Sequence, residues 1–177
     1  MKSVLLSIQP KWCDLIASGR KTVEIRKTKP NTIMPFKCYI YCTIAGTTAR
    51  ERDRNIFTDL RGKVIGEFVC KNIDWHGLSN LIVKEDAERA LEGTCLTENE
   101  VLDYLGYQDG TNIYDCKNFD FYGWHISDLV IYDKPKELGE FEKPREYIHI
   151  NYRKRNSYFK GITRPPQSWC YVEEESD

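Results

Sequence analysis

Arg20, Lys21, Glu24, Arg26 and Lys27 place five ionic side chains within eight residues, just after Gly19. Folding alone does not ask for that density of charge. It predicts a site for an anionic or polar ligand, nucleic acid or a nucleoside. Lys21 has the widest chemical range. As an ammonium it binds phosphate or steadies negative charge in a transition state. As a free amine it is a nucleophile or base, which requires burial or a nearby cation to bring it down from about 10.4. Arg20, Arg26 and Lys27 supply such cations, whereas Glu24 opposes them by holding Lys21 charged. The plain alternative is a surface Lys21–Glu24 pair worth about 0–1 kcal/mol. If the protein is an enzyme, Lys21, Glu24 and His125 are the catalytic candidates, with His125 as acid or base. A hydrogen-bonded structural histidine is the other reading of His125.

A second group runs from Arg145 to Arg164: Arg145, Tyr147, His149, Tyr152, Arg153, Lys154, Arg155, Tyr158, Phe159, Lys160 and Arg164. Cations interleaved with aromatic rings suit a nucleic-acid strand, phosphates on the cations and bases stacked on the rings at about 1–3 kcal/mol each. Tyr152, Arg153 and Arg155 are its expected contacts. The alternative is an extension whose rings pack on the domain while its cations face water. Arg50, Arg52 and Arg54 either extend this footprint or sit in a solvated loop. Trp124 and Ser127 are expected to line the cleft. Trp12 and Trp169 read as core, although Trp12 beside Lys11 is also placed to stack a base. Metal binding has little support. Cys38 and Cys42 share a strand face without a second pair at finger spacing, and His76, His125 and His149 lie far apart in sequence. No metal and no cofactor are expected.

The elements that must hold these residues follow from hydrophobic pattern. Ser3 to Ile8 reads as a buried first strand. Pro10 opens a short helix with Trp12, Leu15 and Ile16 on one stripe, and Gly19 ends it. Thr22 to Arg26 alternates as a strand, with Thr22, Glu24 and Arg26 on one face and Val23 and Ile25 toward the core. Further strands are expected at Phe36–Ile44, Val64–Cys70 and Tyr122–Tyr132, the last closed by Pro135. Ala49 to Asp59 reads as a polar loop. Helices are expected over Lys84–Leu91 and Thr97–Leu105, the second with a capping box from Thr97 and Glu100 and a stop at Gly106. Lys136 to Phe141 reads as a helical turn, and Gln167 to Val172 as a last strand. Many strands and few helices predict an α+β fold on a small, mostly antiparallel barrel.

The 177 residues suit one domain with additions. The division expected is a domain over 1–142 and a basic-aromatic extension over 143–177 packed on it. A net charge of -1 hides an asymmetry. Residues 1–63 carry 13 Lys/Arg against 5 Asp/Glu, residues 64–142 carry 6 against 17, and residues 143–177 carry 7 against 5. Either a basic face steers a polyanion, or the charges mix again in three dimensions. Seven cysteines without paired spacing, no signal-like N-terminus and no run of membrane-spanning length predict free thiols in the cytoplasm and no membrane contact.

Gly19-x-Lys21-x-x-Glu24-x-Arg26, with Ser7-Ile8-Gln9-Pro10-Lys11-Trp12 upstream, resembles the signature of the ASCH domain, a relative of the PUA RNA-binding domains. Tyr122 to Pro135 resembles that family's later strand and proline-rich exit, so the likeness covers roughly residues 3–135. It implies a PUA-like pseudo-barrel with a short helix after the first strand, two further helices in the middle and a cleft beside the first helix. It also implies RNA or nucleoside binding, expected here at Lys11, Trp12, Arg20, Lys21, Glu24, Arg26 and Lys27. Some members are thought to cut RNA or to hydrolyse acetylated cytidine. The amidohydrolase members use a lysine, a threonine and a glutamate. Lys21 matches the lysine, Glu24 stands at the threonine's place, and Glu92 is the candidate for the glutamate by topology. Three readings follow: a non-catalytic RNA- or modified-nucleoside-binding domain, a ribonuclease or amidohydrolase on the same fold, or a protein-interaction module. A homo-oligomer is compatible with the charge asymmetry, but no feature indicates one.

Overall fold

The structure, a computed structural model, describes residues 2–44, 60–82, 84–107, 119–144 and 161–174. Seven strands, β1 (Ser3–Ile8), β2 (Val23–Arg26), β3 (Phe36–Cys42), β4 (Lys63–His76), β5 (Phe121–Glu137), β6 (Phe141–Glu142) and β7 (Trp169–Glu174), form one sheet in the order β2-β5-β4-β3-β1-β7-β6. The β1–β3 pair is parallel and the other pairs are antiparallel. Four helices accompany it among the described residues: α1 (Pro10–Ala17), α2 (Ser79–Ile82), α3 (Lys84–Leu91) and α4 (Glu98–Leu105).

The expected barrel is corrected to an open sheet. A barrel needs its two edge strands to meet, and here β2 and β6 stand at opposite ends of the order. The start of β2 is occupied on its outer side by chain rather than by a strand. The Gly93 carbonyl accepts from the N–H groups of Thr22 and Val23 at 2.8 and 3.0 Å. The sheet still curls enough for Arg26 of β2 to hydrogen-bond the Ser7 carbonyl of β1.

Local chemistry accounts for the elements around the site. Proline at the first turn opens α1, and Gly19 at φ +71 turns the chain back, so that the Lys21 N–H donates to the Leu15 carbonyl. Thr97 and Glu100 form the expected capping box at the start of α4, and Gly106 ends it in the left-handed conformation. All four residues of β2 are buried because both faces are covered. Ile25 packs with Leu81, Val101, Leu105 and Phe121 under the helices. Glu24 and Arg26 face the other way. The main core lies on that second face, where Val4, Leu6 and Ile8 meet Cys38, Ile40, Phe68 and Trp124. A further core joins Leu5, Tyr39, Tyr41, Phe141 and Val172.

Two strands run past their expected ends. β4 continues to His76 because Ile73 to His76 pair with Phe121 to Trp124. β5 continues through Pro135 to Glu137. Proline fits there because the register slips nearby, between Val64 and Gly66 of β4, and β2 pairs only with residues 122–125 of the other edge. The expected last strand is present as β7, which pairs with β1. The expected turn near Lys136 is a 3-10 turn at Leu138–Glu140.

Candidate functional site

Lys21 and Glu24 are buried, not a surface pair. Lys21 is 1% exposed, and its Nζ donates to the Thr94 carbonyl at 2.6 Å. Glu24 bridges two cations, with Oε2 3.3 Å from Lys21 Nζ and Oε1 3.0 Å from Arg26 Nη2. Arg26 Nη2 also donates to the Ser7 carbonyl at 2.8 Å. This buried triad carries one net positive charge. Lys21 and Arg26 each have a backbone carbonyl besides Glu24, and Glu24 has both cations, which is what keeps buried charge tolerable. The Arg26 Nε–H is buried and has no acceptor among the described residues.

The triad forms the floor of a cleft of about 640 Å³. Trp12 of α1 is one wall, with Lys21 Nζ 5.1 Å and Lys11 Nζ 4.1 Å from its ring centre. Helix α4 supplies Glu100, Asp103 and Tyr104 opposite. Lys11 reaches Glu100 at 3.5 Å, tying α1 to α4. A hydrogen bond from the Thr97 N–H, with a second from its hydroxyl, holds the Glu100 carboxyl below the ordinary carboxylate range, and Lys11 adds to the effect. Tyr104 is partly exposed. Burial pushes its phenol up, while the hydrogen bond with Arg26 pulls the other way. Residues Pro165 to Gln167 complete the rim, fixed where Ser7 Oγ donates to the Pro166 carbonyl at 2.6 Å. Lys11, Lys21 and Arg26 therefore face Glu24, Glu100 and Asp103, so the cleft is formally neutral, with a cationic floor and an acidic wall.

Lys11, Trp12, Lys21, Glu24 and Arg26 thus come together as expected. Lys27 sits nearby, with Nζ 3.3 Å from the Leu105 carbonyl and over the Tyr104 ring. Arg20 points elsewhere, donating to Ser18 Oγ. Trp124 is corrected from cleft wall to core: it is 0% exposed and meets Phe36 edge to face. Because neighbours on a strand alternate, His125 then falls on the other face of β5. There its Nε2 lies 2.6 Å from Asp74 Oδ2. Asp74 is held below the usual range: burial works to raise it, and hydrogen bonds from His125 and Asn72 outweigh that. Ser127, past the packed Ile126, is also off the cleft. Glu92 is exposed and does not line the cleft. Tyr152, Arg153 and Arg155, with the rest of the basic-aromatic run through Lys160, lie outside the described residues, as do Arg50, Arg52 and Arg54. Among the described residues no group of His, Cys, Asp and Glu is arranged to hold a metal, and no helix is long and apolar enough to cross a membrane.

Sequence reasoning missed Glu100, Asp103, Tyr104 and the Thr94 carbonyl. The i, i+3 spacing of Glu100 and Asp103 places both on one helix face, the one signal available, but it does not say what that face meets.

Residues 6–42 match the family model of the ASCH domain. The fold is shared with the crystal structure of ASCH from Zymomonas mobilis, at TM-score 0.58 and 20% identity over 97% of this chain and 87% of that one. Structures of two mutant proteins of the same ASCH give TM-score 0.58 at 20% and 19% identity, covering 98% and 97% of this chain and 91% and 88% of theirs. Comparison with curated proteins gives no match. The block similar to the ASCH domain holds α1, β2 and β3, including the whole buried triad.

Proposed function

We propose that the cleft binds a nucleobase, as a free nucleoside or within RNA, without transforming it. The observation that carries this reading is the neutral lining: three cations and three carboxylates around an aromatic wall. A phosphate would meet the acidic wall of α4 at a cost. A base is uncharged and presents both acceptors and donors along its edge. Its acceptors would face the triad and its donors Glu100 and Asp103, while its ring would stack on Trp12. Phosphates would stay outside, near Lys27. The ASCH family's association with RNA supports the same ligand class.

Titration of cytidine, uridine, adenosine, guanosine and acetylated cytidine, followed by tryptophan fluorescence, tests this. The expected result is saturable binding of at least one nucleoside, weakened roughly tenfold or more in Trp12→Ala. Lack of binding by every nucleoside and by RNA at low salt refutes it.

A second reading is chemistry on the bound base, favoured by the placement of the Glu24 carboxylate between two cations in the cleft. Against it, the Lys21 ammonium is already engaged by Glu24 and by the Thr94 carbonyl. Turnover of RNA or acetylcytidine that disappears in both Lys21→Met and Glu24→Gln would replace binding by catalysis.

A further inference from the structure

The register of the sheet carries the cleft floor onto an open aromatic surface. Arg26 of β2 lies opposite Tyr122 of β5, and Tyr122 lies opposite Trp75 of β4. Directly opposed residues share a face, so Arg26, Tyr122 and Trp75 form one row across three strands. Two strand spacings put Trp75 roughly 10 Å from Arg26 along that row. Trp75 is 59% exposed, the most exposed aromatic ring among the described residues. An open tryptophan ring offers a flat face on which a planar group can stack.

The surface is also charged. Lys29 Nζ stands 5.7 Å from the centre of the Tyr122 ring, and among the described residues no carboxylate pairs with it. The chain leads to this surface from the cleft rim. Two residues after Gln167, Trp169 donates through Nε1 to Thr28 Oγ1 at 2.9 Å, next to Lys29.

We propose that Trp75 and Tyr122, with Lys29, form a stacking platform for a nucleotide adjoining the one in the cleft, so that the protein holds a short single strand of RNA. The proposal rests on the cleft binding a base. Stacking on a ring is tolerant of sequence, and the lysine meets the intervening phosphate. The platform therefore supplies affinity for a strand, while the cleft supplies the choice of base.

Binding of a mixed-sequence RNA octamer is compared with binding of single nucleosides in Trp75→Ala, Trp75→Phe, Tyr122→Ala and Lys29→Gln. Trp75→Ala is expected to weaken the octamer about tenfold and leave nucleoside affinity unchanged, with Trp75→Phe restoring most of the loss. Lys29→Gln is expected to lower the salt slope of octamer binding by about one. Because Trp75 is open to solvent, the fold should be retained, which circular dichroism checks. Octamer affinity unchanged in Trp75→Ala and Tyr122→Ala, but lost in Trp12→Ala, overturns the platform and leaves the cleft standing. Wild-type protein that binds nucleosides but gains nothing from the octamer also overturns the platform alone. Failure of both ligands with wild-type protein overturns the cleft reading, and the platform with it.

Discussion

Glu24 is the residue on which the site turns. It neutralises one of two buried cations and orients both, so its loss leaves Lys21 and Arg26 repelling each other without solvent. Glu24→Gln is expected to cost about 3–5 kcal/mol of stability. Urea denaturation measures it, and a loss below about 1 kcal/mol would mean that the triad behaves as a solvated surface pair. His76 makes a second prediction at this scale. It stacks on Phe121 with ring centres 5.0 Å apart. Burial holds it below its ordinary 6.5; Asp74 opposes this and His125 adds to it. The unfolded chain therefore binds the proton more readily than the folded one. This contribution to stability is complete above about pH 6.5 and is lost as pH falls through the lowered folded value. Thermal melts between pH 7.5 and 5 should show the decline, reduced in His76→Phe. Lys21, Glu24 and Arg26 were legible as a site because charge that dense is hard to explain otherwise. Trp124 was not, because a tryptophan on a strand reads alike whether it faces a cleft or a core.

Helix α4 matters for what it presents as much as for what it packs. Its first turn is secured by Thr97 and Glu100, and the same glutamate faces Lys11 across the cleft. Thr97→Ala is expected to cost about 1 kcal/mol. It should also weaken nucleoside binding, because Glu100 loses the Thr97 hydroxyl that helps to hold its carboxylate in place. Helical circular dichroism and nucleoside titration together test this, and unchanged binding would separate the cap from the cleft. Capping signals are short-range, so the sequence located α4 within a residue. Its placement opposite α1 depends on contacts between segments about 85 residues apart, which no local pattern encodes. The same limit explains the barrel. Six of the seven strands and their alternation were readable, the two-residue β6 being too short to leave a pattern, but whether the edge strands meet depends on what reaches the edge of β2, and that is the loop at Gly93.

At the scale of the molecule, the uneven charge along the chain is redistributed by topology. The acidic middle of the sequence supplies β4 and β5, which lie between β2 and β3 from the basic first third, and it supplies α4, which faces the cleft. The expectation that charges mix in three dimensions therefore holds at the site. Salt should distinguish the two ligand classes. Nucleoside affinity is expected to vary less than about twofold between 50 and 300 mM salt, whereas affinity for an RNA octamer falls steeply as phosphate contacts are screened. A steep dependence for the nucleoside would place a phosphate-like charge in the cleft and contradict the neutral lining.

The turn at residues 93–94 has two tasks that are separate in sequence but joined in space. The Gly93 carbonyl holds the Thr22 and Val23 amides, and the adjacent Thr94 carbonyl holds Lys21. A ligand that competes for the Lys21 ammonium pulls on the same short stretch of backbone that closes the strand edge. The protein thereby contains its own gauge of occupancy. Hydrogen–deuterium exchange at the Thr22 and Val23 amides should change when the cleft is filled, while the amides of β3, buried in mid-sheet, keep their protection. Equal exchange with and without ligand would show that the turn does not couple the two.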